Sequence, residues 1–121
     1  MANTFKVVTF AAEPASAGTP LVMYTAASST TTVVLGLILT NLNTSQVTAT
    51  VRLVSDTANR AAANNVANGT SILINAAPIP VGSTLELLSG GKVILQPTDT
   101  LTISCSVADK LSGALSIMEI T

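Results

Sequence analysis

Residues 31–55, TTVVLGLILTNLNTSQVTATVRLVS, constrain this chain more than any other stretch. In residues 32–41, Val33, Leu35, Leu37 and Leu39 share one face of an extended chain, and Val34, Gly36, Ile38 and Thr40 share the other. Both faces are largely apolar, which predicts a central strand covered on both sides. In residues 47–54, Val47, Ala49, Val51 and Leu53 alternate with Thr48, Thr50, Arg52 and Val54, the pattern of a strand with one buried face. Val, Ile and Thr are stiff at χ1 and favour pleated surfaces over helix. Between the two runs, Leu42-Asn43-Thr44-Ser45-Gln46 is turn-forming, and a hairpin is expected. The first run is long for a strand, and Gly36 is its natural bulge point.

The rest of the chain reads as strands of similar kind. Residues 5–10 (FKVVTF) alternate as a first strand or extended arm. The small-residue linker at 12–20, with Pro14, Gly18 and Pro20, crosses to a second sheet or frees residues 1–12 as an arm. Further strands are expected at 21–26, 71–75, 84–88, 92–95, 100–107 and 114–120, with Pro78 and Pro80 marking an edge or a sheet-to-sheet crossing. Ser89-Gly90-Gly91 reads as a tight hairpin turn, and Gln96-Pro97-Thr98-Asp99 as another turn. Residues 56–70, DTANRAAANNVANGT, stand apart: Asp56 could cap a short helix, in a solvated excursion or a contact loop. About nine short strands with a turn signal every eight to twelve residues or so indicate an all-β protein, an antiparallel β-sandwich of jelly-roll or Ig-like kind. The division is a strand or arm and linker at 1–20 followed by a sandwich domain at 21–121.

Composition narrows the function. Charged residues make up 9% of the chain, against about 25% in ordinary globular domains. The net charge is −1, so there is no basic footprint for nucleic acid. A weakly charged surface favours association with neighbours. The chain has no histidine, and its six carboxylates (Glu13, Asp56, Glu86, Asp99, Asp109, Glu119) form no pair at a catalytic or calcium-loop spacing. Cys105 alternates with Leu101, Ile103 and Val107 and reads as a small buried hydrophobe. Gly90-Gly91-Lys92 lacks the rest of a phosphate loop. No enzyme, cofactor or metal is expected. The start, MANTFKVVTFAAEP, is unlike an export signal, and no apolar run is long enough for a transmembrane helix.

From Tyr24-Thr25 onward the motifs run TTVVLGLILTNLN, VTATVRL, PIPVGSTLELLSGGKVILQPTDTLTISCS and a closing ALSIMEI. This order resembles small β-sandwich virion proteins of tailed bacteriophages, which serve as capsid decoration (cement) proteins or as accessory tail and neck components. The segment at 78–101, with Pro78-Ile79-Pro80, Gly82-Ser83-Thr84-Leu85-Glu86-Leu87-Leu88, Gly90-Gly91-Lys92-Val93-Ile94-Leu95 and Asp99-Thr100-Leu101, carries most of it. The resemblance implies a non-enzymatic structural protein located in the virion. It implies a homo-oligomer, a trimer for preference, that contacts the major capsid protein or other virion proteins, with neither nucleic acid nor membrane as partner. Tail, neck or fibre component is the alternative role, and a glycan- or receptor-binding module a third. Residues 1–20 and 56–70 are the expected contact regions, with Phe5, Phe10, Tyr24, Arg60, Asn64 and Asn65 as candidate interface residues.

Overall fold

A computed structural model describes residues 2–55, 69–88 and 92–121. Nine strands are found among them, and no helix: β1 (Asn3–Glu13), β2 (Leu21–Thr25), β3 (Thr31–Asn41), β4 (Val47–Val54), β5 (Thr70–Ile79), β6 (Thr84–Leu87), β7 (Val93–Leu95), β8 (Thr100–Cys105) and β9 (Leu111–Ile120). They form two antiparallel sheets. Sheet A runs β1-β9-β3, with β6 and β7 sharing the far side of β3; sheet B runs β2-β8-β4-β5. The fold is the expected all-β sandwich. The short helix considered for 56–70 falls on residues 56–68, outside the described residues.

The two runs of residues 31–55 do not form a hairpin. β3 lies in sheet A and β4 in sheet B, so residues 42–46 arch from one sheet to the other. Asn41 holds the arch: its Nδ2 donates to the carbonyls of Ser45 (3.0 Å) and Ile79 (2.8 Å), and its Oδ1 accepts from the Asn43 amide (2.7 Å). A turn residue that bonds its own backbone two positions on closes a sharp corner without strand pairing. Each run then lies inside a sheet, flanked on both sides by other strands. β6 and β7 both pair with β3 and not with each other, so these two strands form no hairpin, and the expected turn at 89–91 lies outside the described residues. β6 and β7 therefore lie along the same edge of β3 and run in the same direction. The linker at 14–20 carries the chain from sheet A to sheet B, as its composition suggests, and β1 is itself a strand of sheet A.

Gly36 does mark a bulge. The β3–β9 register slips between Val34 and Gly36, which makes Leu35 the extra residue. One inserted residue transfers the rest of the strand to the opposite face. Thr32 and Val34 therefore point into the core before the bulge, and Leu37, Leu39 and Asn41 after it. The strict alternation read from the sequence, which kept Val33 and Leu35 on one face with Leu37, is corrected accordingly.

The core between the sheets is aliphatic. Val34, Leu37, Leu39, Leu115 and Ile117 of sheet A meet Val47, Ala49, Val51, Leu101, Ile103 and Cys105 of sheet B, all essentially inaccessible. Cys105 is a free, buried thiol, as its alternation indicated. Phe10 packs on Gly113 of the neighbouring strand, where a Cβ would come within 2.6 Å of the ring and 2.7 Å of the Ile38 carbonyl oxygen.

Candidate functional site: an apolar outer face on sheet A

Among the described residues, the expected cover on both faces of β3 is supplied on one face only. On the outer face of sheet A, register places Phe5, Met118, Val33 and Ile94 side by side across β1, β9, β3 and β7. Phe5 is 72% exposed and Ile94 55%. Below this row lie Val7, Ser116 and Gly36, and below them Thr9, Ala114, Ile38 and Glu86. Val7 and Ile38 are exposed as well.

The relief of this face follows from residue size. Gly36, Ala114 and Ser116 form a low floor, and Leu35, pushed out at the bulge, stands above it. On one side of Leu35 a groove of about 320 Å³ runs towards Ile38, Glu86 and Leu87. On the other, a depression of about 400 Å³ lies against Phe5, Val7 and Ser116. Large apolar walls over small floor residues make a surface that can take protruding side chains. Glu86 supplies a single carboxylate at its rim.

Polar chemistry is concentrated at one end of the sandwich. The Tyr24 hydroxyl, reaching across from sheet B, donates to Glu119 Oε2 at 2.6 Å and lies 2.9 Å from Thr32 Oγ1. Since a phenol has one proton to give, the Thr32 hydroxyl is the donor to Tyr24. Lys6 Nζ lies 2.7 Å from Glu119 Oε1. The bond from Lys6 first, and that from Tyr24 second, hold the Glu119 carboxyl below its ordinary pKa. Burial, reinforced by the adjacent carboxylate, raises that of Tyr24. This arrangement ties the two sheets together. Among the described residues no group of three His, Cys, Asp or Glu side chains could hold a metal ion, and no helix is long and apolar enough to cross a membrane.

The six candidate interface residues are distributed unevenly. Phe5 stands on the outer face of sheet A. Phe10 and Tyr24 are half-buried and pack against the core, and Tyr24 is engaged by Glu119 and Thr32. Arg60, Asn64 and Asn65 lie outside the described residues. Sequence reasoning missed Val7, Val33, Ile38, Ile94 and Met118 as surface residues. For Val33 and Ile38 the signal lies in the two apolar faces of β3, both of which the sequence reading places inside. Comparison with protein-family models, with curated proteins and with solved structures finds no match to this chain.

Proposed function

We propose that this chain is a non-enzymatic structural protein of a tailed-phage virion, a capsid decoration protein that docks on neighbouring virion proteins through the outer face of sheet A. The observation that carries the reading is the apolar row Phe5–Met118–Val33–Ile94 with its grooved floor. Burying such a face contributes about 25 cal/mol per Å² of apolar area, and a virion repeats the gain over many copies. The low charge of the chain adds little repulsion or desolvation cost to that burial. The motif order from Tyr24 onward supports placement in a virion.

The test is binding to expanded capsids. Phe5→Ser combined with Ile94→Ser should abolish occupancy while leaving the urea midpoint of the free protein near that of the wild type. Unchanged occupancy rejects the face as the docking surface. Copy number per particle separates the two virion roles: a value that tracks the capsid subunits supports decoration, and one that tracks a tail or neck ring replaces it with the accessory role. A glycan-binding module would rely on Tyr24 as its aromatic platform, and that side chain is committed to Glu119 and Thr32.

A further inference from the structure

A sandwich of two open sheets has four edges, and proteins blunt such edges with short strands, bulges, prolines or interruptions. Three edges here are blunted. β2 is short and bulged between Val22 and Tyr24. β5 carries Pro78 and two register slips against β4. The β6/β7 edge is made of two short strands of four and three residues. β1 differs: its register with β9 is unbroken from Asn3 to Phe10.

The hydrogen-bond phase of that edge is fixed. Ala2 and Thr121 exchange both backbone bonds, at 3.2 and 3.0 Å. In an antiparallel ladder such pairs alternate with pairs whose N–H and C=O groups point away. In the same register, Thr4, Lys6, Val8 and Phe10 bond to β9. Asn3, Phe5, Val7 and Thr9 therefore turn their backbone groups outward, to the open edge.

We infer that β1 pairs antiparallel with β1 of a second copy of this chain about a two-fold axis at Val7, joining two A sheets into one. The strand is self-complementary in this register. Val7 meets Val7, Phe5 meets Thr9 on the outer face, and Lys6 meets Val8 on the inner. The neighbouring register centred on Lys6 sets two ammonium groups opposite each other and is disfavoured by like-charge repulsion. A register centred on Phe5 pairs only Asn3 to Val7 of the two β1 strands, against Asn3 to Ala11 in the Val7 register. An inward-pointing lysine can serve to block an edge, but Glu119 Oε1 already lies 2.7 Å from Lys6 Nζ, and the Val7 register keeps the two lysines apart. The contact is isologous and closes at two copies. It differs from the three copies that the virion resemblance implies, and it stands independently of the virion reading.

The test uses the whole protein. Over a dilution series, sedimentation equilibrium should show a two-copy species dissociating to one copy. Amide exchange should slow with concentration at Phe5, Val7 and Thr9, and stay constant at Lys6 and Val8, which β9 already protects. Val7→Pro removes an amide that bonds nothing within the chain, and proline is tolerated at a sheet edge. It should weaken the pairing on the order of tenfold to thirtyfold, from two lost hydrogen bonds, with the urea midpoint retained. A single-copy mass at every concentration, a three-copy species, or a two-copy species unaffected by Val7→Pro overturns the inference. So does protection of these amides that arises only when another virion protein is added, since that assigns the edge to a foreign strand. Should Val7→Pro fail to fold, the wild-type exchange pattern decides alone.

Discussion

Sheets A and B share one core but present opposite characters to the outside. A row across sheet A reads Phe5–Met118–Val33–Ile94, and a row across sheet B reads Val22–Thr102–Arg52–Ile72. In sheet B the two central positions are polar, with the apolar residues at the flanks. There Thr50, Thr102 and Ser104 are buried although they face outward, Arg52 Nη1 donates to Ser104 Oγ at 3.3 Å, and Thr50 Oγ1 accepts from the Ala76 amide at 2.9 Å. The centre of the outer face of sheet B thus carries short hydroxyl side chains and one arginine. Sheet A leaves four apolar side chains in a row. The difference teaches where apolar side chains come to the surface: in an unbroken row across face A, and only at the flanks of face B.

Four measurements would break or sharpen that contrast. The largest effect belongs to the boundary between inside and outside on β3. Leu37→Ala should cost about 2–5 kcal/mol in urea unfolding, and Ile38→Ala, one residue on and facing outward, less than about 1 kcal/mol in the free chain. Equal costs would show that face A is covered within the single chain. Next comes Gly113, whose floor position under Phe10 leaves no room for a methyl group. Gly113→Ala should cost about 1–3 kcal/mol by crowding the ring and the Ile38 carbonyl, whereas a neutral result would mean that β9 shifts freely beneath β1. On face B, the Thr102 hydroxyl is buried and has no hydrogen-bond partner. Thr102→Val should therefore be neutral or stabilise by up to about 1 kcal/mol, and a clear loss would reveal a bond that holds face B together.

The smallest effect is electrostatic and sits where the sheets are tied. The Glu119 carboxyl titrates below its ordinary value of 4.5 when folded, so the folded state favours its charged form. Its contribution is present above the ordinary carboxylate range and is lost as pH falls towards the depressed folded value. Wild-type stability should decline more steeply on acidification than that of Glu119→Gln. Parallel declines would show that the Lys6–Glu119–Tyr24 contacts contribute nothing to linkage.

Strand positions were legible from alternation because burial of one face imposes a period of two on any half-covered strand. Cys105 followed from the same rule, and the bulge at Gly36 from a glycine set inside a strand. Partners were not legible. Alternation says which side chains turn inward but not which strand lies alongside, and the arch after Asn41 reads as an ordinary polar turn. Its corner depends on Ile79, which is distant in sequence, and on a side-chain amide whose bonds no local pattern displays. The consequence of the bulge was equally hidden, since its effect on facing depends on the register with β9. For the candidate site, an apolar face has the same sequence whether its own chain or another molecule covers it. That is why Val33 and Ile38 were assigned to the interior.

The order of assembly is written into the connections. Of the eight links between consecutive described strands, six change sheet, and β9 lies between β1 and β3. β1 and β3 thus wait for a partner strand made much later in synthesis. Until residues 111–120 have left the ribosome, β1 has no neighbour in sheet A and the long apolar run of β3 lacks its main partner. Closing such distant pairings is slow, because loop entropy must be overcome before any contact rewards it. During that delay the nascent chain exposes the apolar runs that β9 later flanks. Exposed apolar surface of this kind makes late-pairing chains prone to association before they fold.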